Sequence, residues 1–267
     1  MKIGVVGCAG RMGRMLVTQI TGTGGCDLAG GSEGPGNPHI GEDVATLAGL
    51  PASGLTVSDD AAALFAASDA VIDFTAPAAT VAHAELAAET GKVLVVGTTG
   101  LEDSHQKVLA DAAKRTAIVQ APNFSIGVNL LLALTERVAG ILDEDYDIEI
   151  VEMHHRHKVD APSGTALGLG RAAAAGRNVS LSDVAQRGRD GITGPRRSGD
   201  IGFAVLRGGD VVGDHTVVFA ADGERVELTH KASSREVFAR GAVRAALWAD
   251  GKAPGLYSMQ DVLGFGS

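Results

Sequence analysis

The chain has 267 residues, 45% of them hydrophobic, and carries a formal net charge of −9 from 23 basic and 32 acidic side chains. That length can bury a large core in one or two domains, and that composition excludes an intrinsically disordered chain. The acidic balance excludes nucleic acid or an anionic membrane surface as the main partner, so any anionic ligand must be met by a local cluster of cations.

Lys2–Val6 reads as a buried strand leading into glycines, without the charged, apolar and cleavage regions of a signal peptide. Arg11–Thr21 follows as a helix and Cys26–Gly31 as a second strand. Further strands are predicted at Leu55–Val57, Ala70–Phe74, Val93–Gly97 and Ala117–Gln120. Asp60–Ala67, Ala78–Thr90 and Glu102–Arg115 have helical composition, rich in Ala, Leu and Glu. Alternating apolar strands and helices imply a parallel sheet covered on both faces. The pattern changes after Asn123. Val128–Leu142 is a strong helix, Asp147–Met153 a strand and Ala166–Ala175 a helix. Gly176–Gly199 is polar, with Arg187, Arg189, Arg196 and Arg197, and reads as a long mobile loop. Ile201–Arg207, Val211–Ala220 and Arg225–Lys231 are extended segments joined by Gly208-Gly209-Asp210 and Asp222-Gly223, which are hairpin-type turn signals. Glu236–Trp248 is a final helix that returns to the first domain.

The expected fold is therefore α/β. An N-terminal Rossmann dinucleotide-binding domain (residues 1–125 with 236–267) is joined to a second, α+β domain (126–235) built on an open mixed sheet. No apolar run reaches the roughly 18–20 residues of a membrane span. The two cysteines, Cys8 and Cys26, make no disulfide framework and point to a reducing, cytoplasmic compartment.

Gly7-Cys8-Ala9-Gly10-Arg11-Met12-Gly13 lies directly after the first strand and opens the first helix. There, backbone N–H groups at a helix start can face a pyrophosphate, and absent side chains let it approach. The spacing is Gly-x-x-Gly-x-x-Gly, a variant of the usual fingerprint. Glu33, at the end of the second strand, is placed to bind a ribose diol. No Lys or Arg occurs between Arg14 and Lys92, and the loop after Glu33 offers no cation for a 2′-phosphate, although Arg11 could still reach one. NADH is therefore expected to serve at least as well as NADPH. Gly97-Thr98-Thr99-Gly100 and Ala121-Pro122-Asn123-Phe124-Ser125 also end strands, where ligands of open α/β sheets bind, and both should border the nicotinamide.

Glu152-Met153-His154-His155-Arg156-His157-Lys158 concentrates three imidazoles and two fixed cations. Three roles compete for the histidines. A metal site would want four ligands, often Cys, and Arg156 and Lys158 would repel a cation. A solvated surface run is the usual fate of such charge. An acid/base and anion site uses histidines near neutrality and a lysine among cations. The residues that follow favour the last. Asp160-Ala161-Pro162 forms a turn, and Ser163 is an N-cap candidate for a helix beginning near Gly164-Thr165, whose N–H groups would receive a carboxylate.

Glu152–Ala166 resembles the signature of the dihydrodipicolinate reductase family of the diaminopimelate–lysine route. Six more blocks resemble the family's, in order: Gly10–Gly13, Ile72–Thr75, Gly97–Gly100, Asn123–Ser125, Gly209–Thr216 and Thr229–Arg235. The resemblance implies an NAD(P)H-dependent oxidoreductase that converts 4-hydroxy-tetrahydrodipicolinate to tetrahydrodipicolinate. It implies that His154 is the acid/base residue and Lys158 the proton donor, and that His155, Gly164 and Thr165 contact the carboxylates of a cyclic dicarboxylate. Gly7, Cys8, Ala9, Gly10, Arg11, Met12, Glu33, Gly97, Thr98, Thr99, Ala121, Pro122, Asn123 and Phe124 would line the cofactor site, with no metal. It also implies a homotetramer assembled through the sheets of the second domain. The chain departs from the pattern at Gly34, where members that favour NADPH tend to carry Arg, and this agrees with the charge argument.

Overall fold

A computed structural model describes residues 1–266. In chain order the elements are β1 (Lys2–Val6), α1 (Arg11–Thr21), β2 (Asp27–Ser32), α2 (Val44–Leu47), α3 (Ala61–Ala67), β3 (Ala70–Asp73), α4 (Pro77–Thr90), β4 (Val93–Val96), α5 (Asp103–Ala112), β5 (Ala117–Gln120), α6 (Ile126–Ile141), β6 (Asp147–His154), α7 (Gly164–Gly176), α8 (Leu181–Val184), β7 (Ala185–Gln186), β8 (Ile201–Arg207), β9 (Gly213–Ala221), β10 (Glu224–Ala232), α9 (Glu236–Ala249), β11 (Gly255–Tyr257) and α10 (Met259–Leu263). They group into two compact units, one made of residues 1–125 and the chain from Glu236 onward, the other of Ile126–Arg235.

The first unit is a Rossmann-type sheet in the order β11-β5-β4-β3-β1-β2, with every pair parallel. Its strands are short and apolar on both faces, as a sheet sandwiched between helices requires. Val6, Val71, Leu94 and Ile118 pack with Phe65, Ala84 and Leu109 from α3, α4 and α5. Against β3, β4 and β5 lies α9, whose buried side is made of Ala239, Gly241, Ala242, Val243, Ala245, Ala246 and Ala249. These small residues let the helix axis approach the sheet closely. Helix starts follow local chemistry. Asp60 caps α3 through Ala63 N–H, and Pro77 sits in the first turn of α4, where its missing N–H costs nothing.

The second unit is a mixed sheet, β10-β9-β6-β8-β7. β6 is its middle strand, antiparallel to β9 and parallel to β8. Buried and half-buried residues alternate strictly along β6, so Ile148, Ile150, Glu152 and His154 share the inner face. Ile148 and Ile150 join Phe203, Val217 and Phe219 against Leu131, Ala139, Ala166, Leu169 and Ala173 of α6 and α7. The inner face is thus apolar for half the strand and turns polar at its end.

Three expectations need correction. Leu55–Val57 is not a strand; Thr56 makes an isolated bridge with Asp43, and Ser58 just beyond makes another with Ser32. Backbone bonds hold the segment against residues 41–44, from Val44 N–H to Leu55 O (2.8 Å), Val57 N–H to Glu42 O (2.8 Å) and Gly41 N–H to Val57 O (2.9 Å), and the Asp43 carboxylate fixes the adjoining turns by gathering the N–H groups of Ala45, Ser53 and Gly54. Gly208-Gly209-Asp210 is no hairpin, because β6 lies between β8 and β9; the turn instead wraps over the end of β6, through Gly208 N–H to His154 O (3.0 Å), His155 N–H to Val211 O (2.7 Å) and Arg156 N–H to Gly209 O (3.2 Å). Gly176–Gly199 is not a free loop. It holds α8, and Arg196 within it donates to Asp147 (2.6 Å), Glu149 (2.9 Å) and the Ile148 carbonyl (3.0 Å), while Arg189 donates to Glu149 (2.8 Å). The short elements α2, α8, β7, β11 and α10 escaped the sequence reading because segments of two to five residues carry too little periodicity.

Candidate active site

In the first unit the glycine turn sits at the C-terminal end of β1. Gly7 has a positive φ of 69°, and at Gly13 an added Cβ would lie 2.1 Å from the Gly7 carbonyl oxygen and 2.6 Å from Cys8 Cα. Only glycine at 13 lets α1 start this close to the turn. Several N–H groups of the turn are consumed locally. Gly7 and Cys8 donate to Ser32 O, Gly10 to Gly7 O, and Ala9 to Glu33 Oε1 at 2.8 Å. Gly10, the N-cap of α1, supplies no side-chain acceptor, so the first-turn donors at Arg11, Met12 and Gly13 are not capped from within. Arg11 is exposed, and Arg14 is tied back to Ala9 O.

Glu33 is brought against the turn, and its second oxygen accepts from Asn37 Nδ2 at 3.1 Å. Cys8 is buried beneath the turn, with its sulfur against Gly31. Burial, reinforced by the Glu33 charge, pushes its thiol up to about 11, so it contributes backbone and packing but no nucleophile.

Gly97, Thr98 and Thr99 follow β4, and Ala121 to Phe124 follow β5, on the same sheet edge as the turn. Thr98 is buried, and its hydroxyl joins Thr75 N–H (3.1 Å), Thr80 (2.8 Å) and Asp73 (3.2 Å). Asp73 also binds Thr75 and the His83 ring at 2.8 Å. Burial would raise its carboxyl, but the bonded His83 and Thr75 outweigh that and hold it below the usual range. Phe124 is buried with its ring 5.5 Å from Phe74; it forms a wall. Thr99 and Pro122 are exposed at this edge, and Asn123 folds its Oδ1 onto Ser125 N–H at 2.8 Å.

In the second unit the polar end of β6 forms a connected hub. Glu152 is 1% exposed. Its Oε2 lies 2.6 Å from His154 Nδ1, and its Oε1 accepts Ser163 N–H at 3.0 Å. Arg207 grips both oxygens, at 2.8 and 2.9 Å. Burial would raise the Glu152 carboxyl; the Arg207 guanidinium, the His154 ring and the Ser163 N–H reverse this and hold it below the usual range. Arg207 also donates to Asp160 O at 2.7 Å, and Asp160 pairs with Lys158 Nζ at 2.8 Å.

Ser163 caps α7 by accepting Ala166 N–H at 3.1 Å and is bonded to His215 Nε2 at 3.1 Å. His215 is 3% exposed and meets His154 edge-on, ring centres 5.1 Å apart. Burial, helped by the neighbouring His154, pushes the His215 ring down to about 4, so it is neutral. His155 is half-buried beside His157, while Gly164 lies exposed at the start of α7. Burial and the nearby Arg235 push the His155 ring below its ordinary value. The structure thus joins His154, the loop of Lys158 and the α7 start through the Glu152 carboxylate and the Arg207 guanidinium, with Lys158 itself on the Asp160 carboxylate.

Glu152, Arg207 and His215 were not among the expected site residues. Glu152 was readable, because residues two apart on a strand share a face with His154. Arg207 and His215 required the sheet order, which sets Arg207 beside His154 and His215 beside Glu152. Among the described residues no helix is long and apolar enough to cross a membrane, and no group of three or more His, Cys, Asp or Glu could hold a metal ion.

Family models described as the N-terminus and C-terminus of dihydrodipicolinate reductase match residues 1–124 and 127–263. Proteins named 4-hydroxy-tetrahydrodipicolinate reductase are similar over almost the whole chain. That of Dinoroseobacter shibae is 59% identical over 97% of both chains, and that of Parvibaculum lavamentivorans is 60% identical over 98% of this chain and 97% of its own. A solved dipicolinate-bound dihydrodipicolinate reductase from Paenisporosarcina shares the fold, with a TM-score of 0.78, 23% identity and 98% coverage of each chain. Two family models together spanning nearly every residue, and relatives at this identity, establish that the chain belongs to the dihydrodipicolinate reductase family.

Proposed function

We propose that this chain reduces 4-hydroxy-tetrahydrodipicolinate to tetrahydrodipicolinate with NAD(P)H, in the diaminopimelate route to lysine, and that His154 and Lys158 carry its proton chemistry. The observation that supports these roles most directly is the hub at the end of β6, which ties His154, the loop of Lys158 and the start of α7 to one buried carboxylate. Substrate carboxylates bind at Lys158, His155 and the Gly164-Thr165 helix start, with Lys158 exchanging Asp160 for the ligand. An ammonium, an imidazole and a helix N-terminus suit a doubly charged ring. His154 or Lys158 delivers the proton to the carbon beside the one that accepts hydride.

The first unit fits a dinucleotide on its own geometry. The glycine turn leaves no room for a Cβ at residue 13, the α1 donors lack a side-chain cap, and Glu33 is fixed against the turn. Arg11, Met12 and the Gly7–Gly10 backbone would hold the pyrophosphate and Glu33 a ribose. Gly97 to Thr99 and Ala121 to Phe124 would border the nicotinamide. The bound cofactor supplies the hydride.

NADH serves at least as well as NADPH, because Glu33 would repel a 2′-phosphate and Gly34 offers no cation. The protein works in the cytoplasm as a homotetramer assembled through the mixed sheets. Two observations support that assembly. The helices α6 and α7 cover only the inner face of the sheet core, and Leu206, 51% exposed, lies on the outer face.

General acid assistance is worth about 10²- to 10⁴-fold. Lys158→Ala and His154→Ala should each lower kcat by that order while leaving the NADH dissociation constant unchanged, followed as NADH absorbance with substrate generated in the cuvette. Mild, equal losses in both quantities would contradict the assigned roles. A hundredfold kcat/KM preference for NADPH would refute the cofactor reading.

A further inference from the structure

We infer that Glu152, clamped by Arg207, is a positioning residue that fixes the ring tautomer of His154 and, through the same carboxylate, the start of α7. This rests on the acid/base role proposed for His154. Glu152 is almost wholly buried, yet it receives four bonds: two from Arg207, one from Ser163 N–H and one from the His154 ring. An ionised carboxylate only accepts. His154 Nδ1, 2.6 Å from Oε2, must therefore carry the hydrogen, and Nε2 is left as the nitrogen that exchanges protons with a ligand.

Space has been left beside that nitrogen. At Gly213, opening β9, an added Cβ would lie 3.0 Å from His154 Nε2. The backbone of His154 is held as well, because its carbonyl accepts Gly208 N–H at 3.0 Å. The other Glu152 oxygen holds Ser163 N–H, and Ser163 caps α7. Arg207 extends the grip to the Asp160 carbonyl, two residues beyond Lys158. A purely structural ion pair would not need its carboxylate aimed at a ring nitrogen; one that orients an acid/base histidine does.

The test combines a spectroscopic reading of the unsubstituted protein with a double-substitution cycle. Long-range ¹H–¹⁵N correlation spectra of ¹⁵N-histidine-labelled protein, with His154 assigned by its substitution, should show the neutral ring protonated at Nδ1. Protonation at Nε2 would overturn the inference without any variant having to fold. Glu152→Gln, nearly isosteric, should lower kcat about 10- to 100-fold with KM for NADH within about twofold of the starting value. In a His154→Gln background the same change should lower kcat less than about twofold, because nothing is left to orient at the acid/base position, and any loosening of the α7 start should appear in KM for the substrate instead.

Full-size losses in kcat that multiply in the double variant would assign Glu152 a separate, structural role and overturn the inference. A large loss in His154→Gln beside an unaffected Glu152→Gln would sink the positioning inference alone. An unaffected His154→Gln would overturn the acid/base reading itself and the inference with it.

Discussion

His215 makes the stability of the second unit depend on pH in a window that can be calculated. Its ring is 3% exposed, bonded to Ser163, and pushed from 6.5 to about 4 by burial and by His154. Glu152 and His154 on β6, His230 on β10, and Lys158 and Arg207 nearby are the charged or titratable groups around it. The fold favours the neutral ring, whereas the unfolded chain takes up a proton near 6.5. The stabilising contribution is complete above 6.5 and is lost as pH falls from 6.5 toward 4. A shift of this size corresponds to about 3 kcal/mol once both states are protonated. Between pH 7.5 and pH 5 the loss is about 2 kcal/mol. His215→Gln keeps a polar group for Ser163 and cannot titrate. Urea denaturation followed by far-ultraviolet circular dichroism, on both proteins at both pH values, isolates the effect. The advantage of the unsubstituted protein over the variant should shrink by about 2 kcal/mol at the lower pH. A difference that stays constant to within about half a kcal/mol, or a His215 proton resonance titrating near 6.5, would refute the reasoning.

Gly13→Ala should cost about 1–3 kcal/mol, since a Cβ there overlaps the turn, and should abolish measurable NADH binding by fluorescence titration; unchanged affinity would remove the close-approach argument. Arg196→Met should release Gly176–Gly199 from Asp147 and Glu149, speeding limited proteolysis within residues 187–199 about tenfold or more and lowering stability by about 1–3 kcal/mol; an unaltered cleavage rate would show that the clasp does not hold the segment.

The first unit was legible because its signals are local. Short apolar runs mark the strands, those of β1 and β4 ending directly at glycine, and Asp60 and Pro77 mark helix starts that the structure places within a residue of expectation. Glu33 was legible by its spacing from the turn, although its bond to Ala9 N–H was not. The second unit was legible in its segments and wrong in one connection. The glycines at 208 and 209 do mark a turn, but nothing local says that a strand from sixty residues earlier lies between β8 and β9. That insertion also hid Arg207 and His215, whose approach to Glu152 exists only across the sheet. Gly176–Gly199 read as a mobile loop because the acceptors of Arg189 and Arg196, Asp147 and Glu149, are likewise far away in sequence.

The inner face of β6 has a consequence for engineering. Ile148 and Ile150 continue into Glu152 and His154 on one face, so the proposed acid/base pair occupies positions where a stability-minded designer would continue the oil. Exchanging a buried ion pair for well-packed aliphatic side chains is often neutral or gains about 1–4 kcal/mol. A library selected only for heat resistance should therefore drift toward Met or Leu at Glu152 and Arg207, yielding hardier proteins with sharply reduced turnover. On the proposed roles, selection for turnover is what would keep a buried ion pair at the end of an otherwise apolar strand face.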